Sequence, residues 1–267
     1  MSRRQAKLLK GLLGERGLGD LVVDFAMRYG NPSVESVVAN MRNAGVERFF
    51  VLPLYPQYAG SSSATALDEV FEVFGRLRNM PEVRTVRHFY NDPGYIAALA
   101  RRVREYWQMH GRPSKLLMSF HGVPRFTVDK GDPYQQECLE SGRLLAKALG
   151  LSSDDFVIAF QSRFGRTEWI KPYASEVLVE LGKAKTQRVD VICPGFVADC
   201  LETLEEIAME GKETFLTAGG REYHYIPCLN DSPTWIAALA DLTENSLAGW
   251  LDGIRVPTGK YATPGEA

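Results

Sequence analysis

The chain has 267 residues, 45% of them hydrophobic and 24% charged, ordinary globular fractions that exclude a disordered chain. Lys and Arg number 31 against 33 Asp and Glu, a formal charge of −2, so no basic excess points to nucleic acid. Apolar runs such as 49–54 fall far short of the roughly 20 residues a membrane-spanning helix needs, and the length fits one large domain or two smaller ones.

The chain opens on basic residues, but Lys10 and Gly11 split the leucines that follow, which predicts an amphipathic helix over Arg3–Leu13 and not a signal peptide. A strand is then predicted at Leu21–Met27, followed by a helix at Ser33–Asn43 and a strand at Arg48–Leu52. Helix Ser63–Leu77, strand Val83–Phe89 and helix Pro93–Met109 come next. Beyond Gly111-Arg112-Pro113 the pattern resumes with strand Lys115–His121, helix Pro133–Leu149, strand Phe156–Gln161 and helix Trp169–Gly182. Strand Arg188–Cys193, helix Asp199–Lys212, strand Tyr223–Ile226 and helix Pro233–Leu247 complete it. Nearly all-apolar strands alternating with helices predict an α/β protein with parallel sheets. Pro and Asp, Asn or Ser mark helix starts, as in Asn91-Asp92-Pro93 and Asp231-Ser232-Pro233.

The chain also resembles itself. Arg28-Tyr29-Gly30 and Arg163-Phe164-Gly165 each precede a helix, and each helix leads to an apolar strand ending in Leu52-Pro53 or Cys193-Pro194. This repeat predicts two similar lobes, one over 1–112 and one over 113–255, the last helix packing across them, with a flexible tail at 256–267. The second lobe opens with the strand that ends in His121. The first has no counterpart, so its opening strand is expected to be missing from this chain. The four cysteines, Cys138, Cys193, Cys200 and Cys228, stand singly, which makes a reducing, cytoplasmic setting the default.

Unusual residues gather where predicted strands end: Arg28-Tyr29, Tyr55-Pro56-Gln57-Tyr58, His121, Gln161-Ser162-Arg163, Phe196 and Asp199. Ligands of open α/β sheets bind beyond the carboxyl ends of the strands, so the lobes are expected to face one another across a cleft. Nucleotide and hydrolase motifs are absent: no GxGxxG follows a strand, and there is no GxxxxGK[ST] and no GxSxG. Asp199, Glu202, Glu206 and Glu210 fall on one face of the predicted helix, with Leu201, Leu204 and Ala208 as its apolar stripe. Two readings stay open, a solvated acidic face or a carboxylate ladder for a divalent cation or protons. His121 reads either as structural or as a proton acceptor near neutral pH.

In this setting several stretches, in order and spread over nearly the whole chain, resemble the ferrochelatase family. They include Arg28-Tyr29-Gly30-Asn31-Pro32, Leu52-Pro53-Leu54-Tyr55-Pro56-Gln57-Tyr58, Ser119-Phe120-His121-Gly122-Val123-Pro124, Lys130-Gly131-Asp132-Pro133-Tyr134, Gln161-Ser162-Arg163-Phe164-Gly165 and Asp199-Cys200-Leu201-Glu202-Thr203-Leu204. The resemblance implies two flavodoxin-like (Rossmann-like) lobes of the chelatase type with a porphyrin cleft between them. It implies a lyase that inserts ferrous iron into protoporphyrin IX, the last step of haem biosynthesis. His121 and Glu202 match the family's active-site pair, and Asp199, Glu206 and Glu210 its acidic, metal-conducting series. Arg28, Tyr29 and Tyr55 match residues across the macrocycle, and Phe196 a pocket-wall aromatic. Iron is then substrate, and no resident cofactor is implied. Gly60 stands where animal-type members carry a cluster-ligating cysteine, and the animal-type cysteine tail is absent, so no iron–sulfur cluster is expected. The family's opening strand and porphyrin lip would precede Met1, in keeping with the gap in the repeat. A catalytically impaired tetrapyrrole- or metal-binding remnant and a cobalt chelatase are the alternatives. Peripheral membrane contact and oligomeric state stay open.

Overall fold

The computed structural model describes residues 1–251, so the predicted tail at 256–267 and the last residues of the second predicted lobe lie outside the described residues. The first half contains α1 (Ser2–Glu15), α2 (Val34–Asn43), β1 (Arg48–Val51), a π-helical turn at Gly60–Ala64 leading into α3 (Thr65–Gly75), β2 (Glu82–Thr85) and α4 (Pro93–His110). The second contains β3 (Lys115–His121), α5 (Arg125–Asp129), α6 (Tyr134–Leu149), β4 (Phe156–Gln161), α7 (Ala174–Lys183) and β5 (Arg188–Ile192). A π-helix at Glu202–Gly211 running into α8 (Lys212–Thr217), β6 (Glu222–Tyr225) and α9 (Pro233–Ser246) follow.

All strand pairs are parallel: β1 with β2 in one sheet, and β4-β3-β5-β6 in the other. The composition of β3 explains its central place. Leu116 through Phe120 are almost wholly removed from water, as a parallel strand covered by helices on both faces requires. Alternation then assigns the faces. Leu116, Met118 and Phe120 join the core under α4, α6 and α9, while Leu117 packs beneath α7, α8 and the π-helix. Trp107 on α4 donates to Asp190 Oδ2 on β5 at 2.9 Å, so α4, although read with the first lobe, also covers the second sheet. The last helix, α9, lies against both α4 and α1.

The internal repeat is visible in hydrogen bonding. Met27 N–H donates to Pro32 O and Phe160 N–H to Pro172 O, each at 2.8 Å, ahead of α2 and α7 respectively. In both halves the next strand is followed by a π-helical segment, a parallel strand and a helix with Pro in its first turn. One predicted element is corrected. Leu21–Met27 is not a strand; its one bridge is Met27 to Ser33. Its counterpart in the repeat, β4, pairs with β3 and not with β5. The first half offers, among the described residues, no equivalent of β3 to carry a ladder. Leu21 and Val23 instead pack with Phe50 against the apolar cluster formed by Leu13, Ala240 and Leu247. Shorter corrections fall at α7, which starts at Ala174 and not Trp169, and at β2, which stops at Thr85.

Candidate active site

Strand order reverses between β3 and β5, and such a switch point leaves a crevice beyond the carboxyl ends of the strands. His121 ends β3 in that crevice, and Phe196 follows β5 on its other side, the two rings 6.4 Å apart. His121 Nδ1 lies 2.6 Å from Gly122 O. A carbonyl only accepts, so the neutral imidazole carries its proton on Nδ1 and keeps the lone pair on Nε2. Trp169, 6.3 Å from His121, backs the ring. Gly122 is required here by close approach, because a Cβ would stand 2.8 Å from Gln161 O and 3.0 Å from the Trp169 ring.

Gln161, buried at the end of β4, ties this wall together. Its Oε1 accepts from Ser119 Oγ at 2.8 Å and from Cys193 Sγ at 3.6 Å, and its Nε2 donates to Glu202 O at 2.8 Å. Three strand ends and the start of the π-helix thus meet on one amide. The sequence singles out Gln161 and Ser162 by position but assigns them no role; an amide at an apolar strand end is the signal that marks Gln161. Ser162 adopts φ 66° and directs both N–H and Oγ at Glu206, each 2.5 Å from a carboxylate oxygen.

The helix that carries the acids is wound more loosely than an α-helix. With i→i+5 hydrogen bonds a turn holds more than four residues, so side chains four apart stand nearly in register. Glu202, Glu206 and Glu210 therefore share a line, and Thr203, Ile207 and Gly211 form the buried one. The expected stripe is corrected accordingly: Leu201 is 69% exposed and Leu204 47%. Asp199 precedes the helix on the buried line. Its Oδ1 accepts from Tyr225 OH at 2.5 Å and from Cys228 N–H at 3.1 Å, and its Oδ2 accepts from Asn230 Nδ2 at 2.6 Å. Burial pushes this carboxyl up, but the hydrogen bonds from Tyr225, Asn230 and Cys228 outweigh it and hold it below its ordinary range. Asp199 is thus a fastened carboxylate, while Glu202 faces the crevice. The Cys200 thiol donates to Glu202, and this bond, aided by its own backbone N–H and by nearby His121, keeps the carboxyl below its ordinary value. Cys200 in turn is pushed up to about 11 by burial and by that same bond. No three His, Cys, Asp or Glu side chains are grouped to hold a metal ion among the described residues.

The opposite wall comes from the first half. Tyr55 is partly exposed, and its hydroxyl is pushed up by burial first and then by neighbouring Tyr29 and Glu202. Tyr55, Tyr29 and Glu202 are therefore neighbours. Tyr29 is 74% exposed beneath the Arg28 guanidinium, which sits 4.6 Å from its ring centroid. Arg28 Nη1 donates to Glu69 at 3.0 Å, and its Nε is buried without a hydrogen-bond partner. The structure therefore brings His121, Glu202, Phe196, Tyr55 and Tyr29 to one opening and turns the Asp199 carboxylate away from it.

Parallel α/β sheets around such a cleft define a chelatase-type fold. SirB from Bacillus subtilis with Fe3+ superposes with a TM-score of 0.66 at 13% identity, covering 95% of this chain and 92% of that one. A multi-domain protein from Deinococcus radiodurans, DR2241, described as structurally similar to chelatases, gives 0.55 at 15% identity over 90% of this chain and 51% of its own. Sequence comparison is more specific. The ferrochelatase family model matches residues 1–247. Ferrochelatase of Chromobacterium violaceum is 72% identical, over 94% of this chain and 69% of its own length, and that of Nitrosomonas europaea 56%, over 93% and 68%. The chain belongs to the ferrochelatase family.

Proposed function

We propose that the chain inserts ferrous iron into protoporphyrin IX, with His121 and Glu202 as the catalytic residues of one wall and Tyr29, Tyr55, Arg28 and Phe196 holding the macrocycle against it. The observation that carries this reading is His121 at the end of β3, its Nδ1 hydrogen-bonded to Gly122 O, with Glu202 tied to the same wall through Gln161. As the metal enters, two pyrrole N–H protons must leave. His121 Nε2 takes up the first, the Glu202 carboxylate stabilises the imidazolium that forms, and once that proton is released to water Nε2 takes up the second. A cleft shaped to a bent macrocycle lowers the barrier by favouring the geometry in which the nitrogen lone pairs are exposed. Glu210, in line with Glu202, offers hard oxygen ligands along which a divalent cation passes, and Glu206 joins them by exchanging its Ser162 bonds for the cation; Asp199, tied by Tyr225, Cys228 and Asn230, supports the helix start.

The chain works without a resident cofactor or iron–sulfur cluster, and iron is its substrate. No described helix is long and apolar enough to cross a membrane, and a cytoplasmic setting suits four free cysteines. The test is anaerobic insertion into protoporphyrin, followed by the change in porphyrin absorption, with ferrous and cobaltous ions in competition. Formation of protohaem that disappears in Glu202→Gln is expected. Porphyrin binding without insertion would favour a non-catalytic remnant, and preferential cobalt insertion the cobalt chelatase.

A further inference from the structure

A buried carboxylate outside the cleft joins the two halves. Glu137 on α6 is 5% exposed. Its Oε2 accepts the backbone N–H of Tyr58 at 2.8 Å, and its Oε1 lies 2.7 Å from His88 Nδ1. Two further bonds grip the same loop from the same side. Asp132 Oδ2 accepts from Gly60 N–H at 2.7 Å, and Gln57 Nε2 donates to Ser141 Oγ at 2.8 Å. The loop that presents Tyr55 is thus fastened by α6 and the turn leading into it, side chains of the other half. A buried carboxylate is costly unless its lone pairs are met, and Glu137 meets them through this loop and His88.

We infer that Glu137 is a positioning residue for metal insertion: with His88 it clamps the 55–60 loop so that Tyr55 faces Glu202. This rests on the reading of Tyr55 as part of the macrocycle-binding wall. The groups around His88 are Glu137 from α6, Tyr58 from the clamped loop, and Arg87 and Tyr90 beside it. Arg87 lies over the Tyr58 ring at 4.6 Å, and Tyr90 meets the His88 ring edge-on at 4.9 Å. In Glu137→Gln one amide oxygen still accepts from Tyr58 N–H, and the amide nitrogen still donates to a neutral His88. Against a protonated His88 it presents donor to donor, and the clamp opens.

The experiment measures kcat and the porphyrin KM at about pH 8 and about pH 6, where imidazoles change charge. It uses the full chain and Glu137→Gln, Glu137→Gln with His88→Phe, and Tyr55→Ala, each checked for folding by circular dichroism. Glu137→Gln should match the unaltered chain at the higher pH. At the lower pH it should lose about tenfold in kcat/KM, mostly through KM, as a displaced contact surface predicts. The second substitution, which removes the opposing cation, should abolish that acid-specific loss. Identical pH profiles for Glu137→Gln and the unaltered chain, or an acid loss that persists with His88→Phe, would overturn the proposal. A Tyr55→Ala variant with unchanged KM would instead overturn the reading of Tyr55. If Glu137→Gln fails to fold, His88→Gln against His88→Leu decides: the amide keeps the bond to Glu137 and the KM, the leucine raises KM, and equal values for the two sink the clamp.

Discussion

The two walls of the cleft are built differently. The His121 wall belongs to a four-stranded sheet whose central strands are buried, and Gln161 links β3, β4, β5 and the π-helix behind the imidazole. The Tyr55 wall belongs to a two-stranded sheet, exposes Tyr29, and has its key loop fastened by side chains from the other half. A proton acceptor has to be held in one tautomer and one orientation, and a dense hydrogen-bonded wall does that. A surface that receives a flat hydrophobic ring needs shape and reach more than a fixed proton, and a loop pinned at a few points provides them.

The widest gap between the walls should appear on removing the imidazole. His121→Ala is expected to abolish measurable insertion, at least the 10²–10⁴-fold that a general base supplies, while the porphyrin still binds. Binding measured by fluorescence beside turnover separates these effects. Retained turnover would remove His121 from the proton-acceptor role and erase the contrast.

A smaller and different effect is expected from Asp199. The sequence places it with the acids; the structure makes it part of the support of the His121 wall. Asp199→Asn keeps one oxygen for Tyr225 and Cys228 but sets an amide donor against Asn230 Nδ2, and should lower stability by on the order of 1–3 kcal/mol. The sign of its pH dependence follows from the lowered carboxyl. A carboxyl depressed on folding adds stability that is present above its unfolded value and lost as pH falls through its folded one. The gap in unfolding temperature between the unaltered chain and Asp199→Asn should therefore be widest near neutrality and close in acid. A gap independent of pH would show that Asp199 acts by shape and not by charge.

These two residues also show what the sequence could reveal. The place of His121 at the end of β3 was legible because β3 and β4 are unbroken apolar runs whose ends are marked by polar residues; both strands have the predicted bounds. Asp199 was not, because its spacing from Glu202 fits an α-helical face equally well, and only the i→i+5 winding and the partners on β6 and its following loop turn it inward. Leu201 and Leu204 were misplaced for the same reason. Leu21–Met27 has a strand's composition, but a strand also needs a neighbour, and pairing is a property of the fold. Gln161 and Glu137 act through contacts far apart in the chain, which no local pattern encodes.

The smallest expected effect concerns Cys200, which adjusts the His121 wall without building it. Its thiol, held near 11, stays protonated at neutral pH and serves as a donor to Glu202. That bond is the largest cause of the lowered Glu202 carboxyl. Cys200→Ala should let Glu202 rise toward its ordinary value, while the backbone N–H and His121 still hold it partly down. The ionised form would then be lost at a higher pH as acid is added, so the acid limb of kcat/KM should move upward with little change in the plateau. The same thiol should react with iodoacetamide more slowly at neutral pH than an unperturbed cysteine, since the thiolate is the nucleophile. A Cys200→Ala profile that overlays the unaltered chain would mean that the backbone and His121 suffice to keep Glu202 ionised, and that the His121 wall is insensitive to its one exposed-side thiol.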